Sequence, residues 1–138
     1  MRQGEVVELE IPSSPEYVSI ARMAVEGLAK RMPFAATQIE DLKVAVGEAC
    51  TNAVRHGCPQ EGGNVGVRCT VAVDGLLVEV RNNHSECEYP IVPSEPDLTK
   101  EGGFGLYLIK HLMDEVNIHW DKETAVVTML MRLPPAAI

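Results

Sequence analysis

Glu48, Asn52 and Arg55 follow one another at intervals of four and three residues within the stretch 44–57, which reads VAVGEACTNAVRHG. At this spacing the three side chains lie on one face of an α-helix, about one turn apart. A carboxylate can accept a proton, and an amide oxygen can bind a hard cation such as Mg²⁺. Because such residues on the polar face of an amphipathic helix are most often simply solvated, a reactive site and an ordinary surface are both consistent with the spacing.

Local signals predict a helix over this stretch. Five apolar residues recur at helical spacing and form a separate stripe: Ile39, Leu42, Val46, Cys50 and Ala53. Thr37-Gln38-Ile39-Glu40 is a capping-box pattern with Thr37 at the cap, and Gly57 supplies a stop. Asn52 is a poor residue for the middle of a helix, since its side chain competes for the backbone. Its presence there favours a role beyond solvation.

A second candidate site is the glycine-rich run Gly102-Gly103-Phe104-Gly105, which precedes an apolar helix predicted over 106–113. Glycines before a helix let backbone N–H groups turn toward an anion, and the helix N-terminus attracts negative charge. The run is neither a P-loop nor a dinucleotide-binding motif, because no Lys-Ser/Thr pair follows it and no strand directly precedes it. Taken alone it is a weak signal.

The remaining pattern predicts one domain over 1–138 with an α/β two-layer sandwich fold. Alternating runs predict five strands, over 6–11, 65–73, 76–81, 116–120 and 125–131. Helices are expected over 15–32, 37–56 and 106–113. Asp74-Gly75 predicts a tight hairpin whose central residues have positive φ, so the sheet is at least partly antiparallel. The proline-bearing segment 82–100 has no periodicity and is interpreted as a lid, a binding loop or a plain surface excursion.

Composition narrows the class of protein. The chain has 138 residues and a formal net charge of −8, which argues against sequence-independent binding of nucleic acid. The same charge means that a polyphosphate ligand would need a divalent cation to offset repulsion. The four cysteines show no CxxC pair and are interpreted as reduced thiols. Without a signal peptide or a membrane-spanning run, we expect a soluble cytoplasmic protein.

Two segments resemble a known family. Residues 48–56, EACTNAVRH, resemble the N-box of the GHKL ATPase/kinase superfamily. Residues 103–116, GFGLYLIKHLMDEV, resemble the second glycine box of the branch formed by small bacterial anti-sigma factor serine kinases. The resemblance implies a Bergerat (histidine kinase-like ATPase) fold, a mostly antiparallel mixed sheet with three helices on one face. It also implies binding of ATP and Mg²⁺, homodimer formation, binding of a sigma factor, and phosphorylation of a Ser or Thr on an anti-anti-sigma STAS-domain partner.

The resemblance also assigns roles to individual residues. Asn52 would bind Mg²⁺, Glu48 would act as the base or orient the acceptor hydroxyl, and Thr128 would lie near the adenine. The full set of expected nucleotide contacts is Asn52, Arg55, His56, Asn82, Lys100, Gly102, Gly103, Phe104, Gly105, Leu106 and Thr128.

One motif departs from the family pattern. After the strand that ends at Arg81 the family has Asp-x-Gly-x-Gly, whereas this chain has Asn82-Asn83-His84-Ser85-Glu86. The amide oxygen of Asn82 can still accept the adenine amino hydrogen, but without the charge that strengthens this bond by roughly 1 kcal/mol. Two other interpretations therefore remain: a partner-binding module with weak or no kinase activity, and a nucleotide-dependent dimerisation or sensor domain.

Overall fold

Five strands form one sheet, and three helices pack against one of its faces. The computed structural model describes residues 2–56, 63–83, 103–120 and 124–135. The strands are β1 (Val6–Pro12), β2 (Asn64–Val71), β3 (Gly75–Asn83), β4 (Glu115–Trp120) and β5 (Thr124–Arg132). The helices are α1 (Val18–Ala29), α2 (Ala36–His56) and α3 (Gly103–Leu112). The predicted two-layer α/β sandwich is therefore confirmed.

The strand order in the sheet is β1-β2-β3-β5-β4. Each of the four pairings among the described strands is antiparallel, so the parallel component of the expected mixed sheet is not found there. The reason lies in the position of β5. This strand inserts between β3 and β4, which run in the same direction, and pairs antiparallel with both.

Alternation along the strands decides which face the helices cover. In the central strand β3, Val78 and Val80 are buried. The residues that pair with them on β2 and β5 are buried as well: Val67, Cys69, Val127 and Met129. The opposite face carries Glu8, Arg68 and Glu79 side by side, with Arg68 Nε 2.7 Å from Glu8 Oε1. One face is therefore apolar and packed against helices, and the other is polar and carries ion pairs.

Helix α2 begins at Ala36, so Ala35 occupies the cap position. The cap expected at Thr37 is therefore wrong by two residues. The backbone N–H of Ala35 donates to Oε1 of Gln38 at 3.0 Å, which is the reciprocal half of a capping box. Gln38 Nε2 also donates to the carbonyl of Arg132 at 2.8 Å. Gln38 thus fixes the start of α2 and ties it to the end of β5.

The predicted β2–β3 hairpin is confirmed, but its turn differs from the expected geometry. Val71 pairs with Leu76, and the N–H of Ala72 donates to the carbonyl of Gly75 at 2.9 Å. Gly75 does not adopt positive φ; among the glycines that the structure describes, only Gly4 does. Glycine is needed at position 75 for another reason, since a β-carbon there would overlap the carbonyl oxygen of Met131 on β5.

Within the part of the chain that the structure describes, no helix combines the length and apolarity needed to cross a membrane.

Candidate functional site

Helix α2 lies between α1 and α3 and rests on the middle of the sheet. Four residues of its predicted apolar stripe are at most 2% exposed, namely Leu42, Val46, Cys50 and Ala53, and the fifth, Ile39, is half-buried. Toward α1 the contact is made by Glu26 and Lys43, whose Oε2 and Nζ are 2.6 Å apart. Toward α3 it is made by Glu48 and Asn52. The two predicted side chains therefore lie at the contact between α2 and α3.

Gly105, in the first turn of α3, lies directly against this pair. A β-carbon built on Gly105 would be 2.6 Å from Glu48 Oε2 and 3.5 Å from Asn52 Nδ2. Real β-carbons do not approach an oxygen so closely, so only glycine lets the two helices pack in this way. The structure thus brings together Glu48, Asn52 and Gly105. The expected loop before the helix is corrected, because α3 already begins at Gly103.

Asn52 is a buried polar residue with an unsatisfied group. Its side chain is 2% exposed, and Nδ2 has no hydrogen-bond partner within the described part of the chain. Leaving a buried donor unpaired costs about 1–3 kcal/mol, so such groups are rare and point to a functional demand. A half-turn of the carboxamide exchanges its nitrogen and oxygen, and Oδ1 would then occupy this position. The residue can therefore offer a hard oxygen to a cation.

Asn82 is the other buried polar residue among those described, 3% exposed, and it stands next after Val78 and Val80 on the buried face of β3. Its Nδ2 donates to the carbonyl oxygen of Ala53 at 3.1 Å. The carboxamide oxygen is the group of Asn82 that can accept a hydrogen bond. The sequence did not predict that the carbonyl of Ala53 accepts a hydrogen bond from Asn82. The alternation along β3 does indicate that position 82 faces the helices, but no local pattern identifies the carbonyl it meets.

Thr128 does not join this cluster, and its expected place beside the adenine is corrected. It pairs with Glu79 on β3 and Asn117 on β4, on the face opposite to the helices. The residue of β5 that pairs with Asn82 is Ala125, which is 1% exposed. Because neighbouring residues of a strand point to opposite faces, Thr128 cannot turn toward Asn82 without a change of register.

The remaining predicted residues fall into three groups. Arg55 is exposed, on the same helical stripe as Glu48 and Asn52. Leu106 is 2% exposed and belongs to the hydrophobic core, so its side chain faces away from solvent. The side chains of His56 and Phe104, and all of Lys100 and Gly102, lie outside the described residues.

Cys50 and Cys69 are buried, free thiols. Burial raises the pKa of Cys50 from 9.0 to about 12 and that of Cys69 from 9.0 to about 11. Both are therefore protonated at neutral pH and unsuited to nucleophilic or metal chemistry. Cys58 and Cys87 lie outside the described residues. No group of three or more His, Cys, Asp or Glu residues that could hold a metal is found in the described ranges.

Comparison with known proteins agrees with this geometry. Residues 11–131 match the family described as histidine kinase-like ATPase domain. This chain belongs to that family. Curated relatives include the serine-protein kinase RsbW of Bacillus velezensis, 44% identical over 124 residues, and RsbW of Bacillus subtilis, 41% identical over 125 residues. Each alignment covers 83% of this chain and 78% of the relative.

Solved structures confirm the histidine kinase-like fold. The RsbU and RsbW domains of Rv1364c from Mycobacterium tuberculosis superpose with a TM-score of 0.72 at 18% identity, over 96% of this chain and 34% of that one. A blue-light activated histidine kinase of Erythrobacter litoralis superposes with a TM-score of 0.57 at 19% identity, over 96% of this chain and 65% of the other. In this histidine kinase-like ATPase domain, Glu48 and Asn52 of the N-box lie against Gly105 of the second glycine box.

Proposed function

We propose that this protein binds ATP with Mg²⁺ between α2 and α3 and transfers the γ-phosphoryl group to a serine or threonine of a partner protein. It is a protein serine/threonine kinase of the histidine kinase-like ATPase family, and its relatives are named serine-protein kinases. The observation that carries the proposal is the packing of Glu48 and Asn52 against Gly105, with Asn52 buried and its Nδ2 unsatisfied within the described residues.

Asn52 suits the metal that this chemistry requires. Its carboxamide is buried with a nitrogen that no described group pairs, and the alternative orientation offers an oxygen, the ligand atom that Mg²⁺ prefers. When bound, Mg²⁺ neutralises charge on the phosphates, which matters in a chain with a net charge of −8. Asn52 would hold the ion, and the carboxylate of Glu48 lies with Asn52 against Gly105.

Glu48 is proposed to act on the acceptor hydroxyl. Its carboxylate is half-buried, close to Asn52 and to the first turn of α3. In phosphoryl transfer a carboxylate close to the phosphates accepts the proton of the attacking hydroxyl or orients it. Gly103 and Gly105 lie in the first turn of α3, where backbone N–H groups favour an anion, and they would line the phosphates.

The other nucleotide contacts are part of the proposal with one exception. The oxygen of Asn82 would accept the adenine amino hydrogen, and Arg55 would approach the phosphates from the exposed end of the α2 stripe. For His56, Lys100, Gly102, Phe104 and Leu106 the proposal rests on the resemblance alone. Thr128 is omitted, since it lies on the other face of the sheet.

The partners are also proposals. We propose that the protein binds a sigma factor and keeps it inactive, that it phosphorylates a STAS-domain anti-anti-sigma protein, and that it acts in the cytoplasm as a homodimer. The support is the identity of 36–44% to the RsbW kinases of Bacillus, Oceanobacillus and Listeria.

The test is phosphate transfer from labelled ATP to each STAS-domain protein of the same genome. The wild type should label one of them, and Glu48→Gln should lower the rate by about 10²–10⁴. Glu40→Gln is the matched control, because Glu40 is an exposed carboxylate on the same helix, paired with Lys43. Absence of nucleotide binding at millimolar ATP and Mg²⁺ would rule the proposal out. Binding of nucleotide and sigma factor without transfer to any candidate would favour the partner-binding module instead.

A further inference from the structure

The bond between Asn82 and Ala53 joins the centre of the sheet to the last turn of the helix that carries Asn52. Helix α2 ends at His56, so Ala53 lies in its last turn. Asn82 donates to the carbonyl of Ala53 from β3, with Nδ2 3.1 Å from the oxygen. This hydrogen bond from a strand residue to the last turn of the helix is the cap of α2.

The cap acts next to the metal-binding residue of the proposed site. Ala53 follows Asn52 directly in the chain, and the last turn of a helix unwinds readily when its carbonyls are not held. Among the described residues, nothing accepts a hydrogen bond from Asn52 Nδ2 that would fix this side chain. Its position is therefore set by packing against α3 and by the backbone of this turn, to which Asn82 donates a hydrogen bond.

An aspartate at position 82 could not make this bond. A carboxylate has acceptors only, and one of its oxygens would face the carbonyl oxygen of Ala53 in a site that is 3% exposed. Asparagine is similar in shape but carries the donor that the carbonyl needs. The departure from the family's aspartate is thus matched by a specific contact in this chain.

We propose that Asn82 is a positioning residue for the phosphoryl transfer, which caps α2 at Ala53 and thereby fixes Asn52 for Mg²⁺. This inference rests on the proposed function. The positioning role is separate from recognition of the adenine, which needs only the carboxamide oxygen of Asn82. The two roles predict opposite results for one substitution.

Asn82→Asp keeps an acceptor for the adenine amino group and removes the donor to Ala53. If Asn82 only reads the base, the Kd for MgATP should stay the same or fall, since a charged acceptor binds more strongly. If Asn82 positions Asn52, the Kd should rise roughly tenfold, the usual effect of losing one buried hydrogen bond. Asn117→Asp is the matched control for charge, because Asn117 is exposed on the opposite face of the sheet.

A double-mutant cycle with Asn52→Ala distinguishes positioning of Asn52 from a general structural role. The quantity compared is the change in Kd for MgATP that Asn82→Asp causes in each background. If Asn82 acts through Asn52, Asn82→Asp should raise the Kd in the wild-type background and leave it unchanged within twofold in the Asn52→Ala background. Equal rises in both backgrounds would overturn the proposal. So would a lowered melting temperature with an unchanged Kd at 25 °C.

The pH dependence of the melting temperature tests whether Asn82→Asp has lost the cap. In Asn82→Asp, the protonated form of the introduced carboxyl group can donate to Ala53 in place of the amide, and burial beside a carbonyl raises the pKa of such a group. The deficit in melting temperature of Asn82→Asp relative to wild type should therefore shrink between pH 7.5 and pH 5.5, and a constant deficit would overturn the cap. If wild type binds no MgATP, the proposed function fails and this inference with it. If wild type binds and the cycle is additive, only the inference fails.

Discussion

The carboxylate of Glu48 on α2 faces the α-carbon of Gly105 on α3 so closely that Oε2 lies 2.6 Å from where a β-carbon would stand. These residues belong to two motifs that are far apart in the chain, and the contact brings the two motifs together. The close approach of α2 and α3 depends on the absence of a side chain at position 105.

Gly105→Ala should therefore weaken both packing and nucleotide binding. The added methyl group must displace Glu48 or the first turn of α3, and overpacking of this kind costs about 1–3 kcal/mol. Gly27→Ala is the matched control, since Gly27 lies inside α1 with nothing within 4 Å of its added β-carbon. That variant should gain about 0.5–1 kcal/mol. Urea unfolding and MgATP titration measure both effects, and a Gly105→Ala protein as stable and as active as Gly27→Ala would contradict the packing described here.

Asn52→Leu should separate stability from function. The substitution removes a buried donor that has no partner in the described structure, so the free energy of unfolding should stay constant or rise by up to about 1 kcal/mol. Binding of MgATP should weaken at least roughly tenfold, since leucine offers no ligand to the cation, and the contacts to the base should keep it measurable. Chemical denaturation and calorimetric titration are the measurements. A large loss of stability would mean that the amide has a structural partner and is not kept for a ligand.

Thr128→Val should leave nucleotide binding unchanged within twofold. The side chain lies on the face of the sheet that none of the described helices covers, opposite to Asn52 and Asn82. Valine has nearly the same shape and removes only the hydroxyl group. A tenfold weaker affinity for ATP, measured in the same titration, would show that β5 adopts another register when nucleotide binds.

The two buried thiols make stability depend on alkaline pH. Cys50 and Cys69 have pKa values raised by burial from 9.0 to about 12 and about 11. In the unfolded chain they ionise near 9, so the stabilising contribution is complete below pH 9 and is lost as pH rises from there toward the folded values. The free energy of unfolding should decrease over this interval.

Thiol reactivity gives an independent check of the same burial. In a variant with Cys58→Ser and Cys87→Ser, Ellman's reagent at pH 8 should react only after unfolding in guanidinium chloride. Cys50→Ala in that background identifies the contribution of each thiol. Rapid reaction of the native protein would contradict the buried positions.

Prediction from sequence succeeded where the physical signal is local. The stripe of Glu48, Asn52 and Arg55 follows from helical spacing, and the β2–β3 hairpin follows from alternating residues on both sides of Asp74-Gly75. The turn itself was mispredicted, since the need for Gly75 comes from the close passage of β5, which no local pattern reports.

The failures share one cause, which is tertiary packing. β5 reads TAVVTMLMR, in which Thr128 shares its face with the apolar Val126 and Leu130, so the alternation is only a weak indication of the side that Thr128 occupies. The contacts of Gly105 with Glu48 and of Asn82 with Ala53 likewise join residues that only the fold brings together. Family resemblance assigned Glu48 and Gly105 to the same nucleotide site, but it predicted neither contact.

The insertion of β5 between β3 and β4 has a consequence for synthesis on the ribosome. β1, β2 and β3 can pair as they emerge, but β4 has its described partner only in β5, the last of the described strands to be made. The crossover that carries α3 toward α2 is thus anchored at its far end by residues 124–132. A nascent chain halted before this strand would contain α2 and α3 but not the strand that anchors the crossover, and the protein should become competent to bind its ligand only after β5 has cleared the exit tunnel.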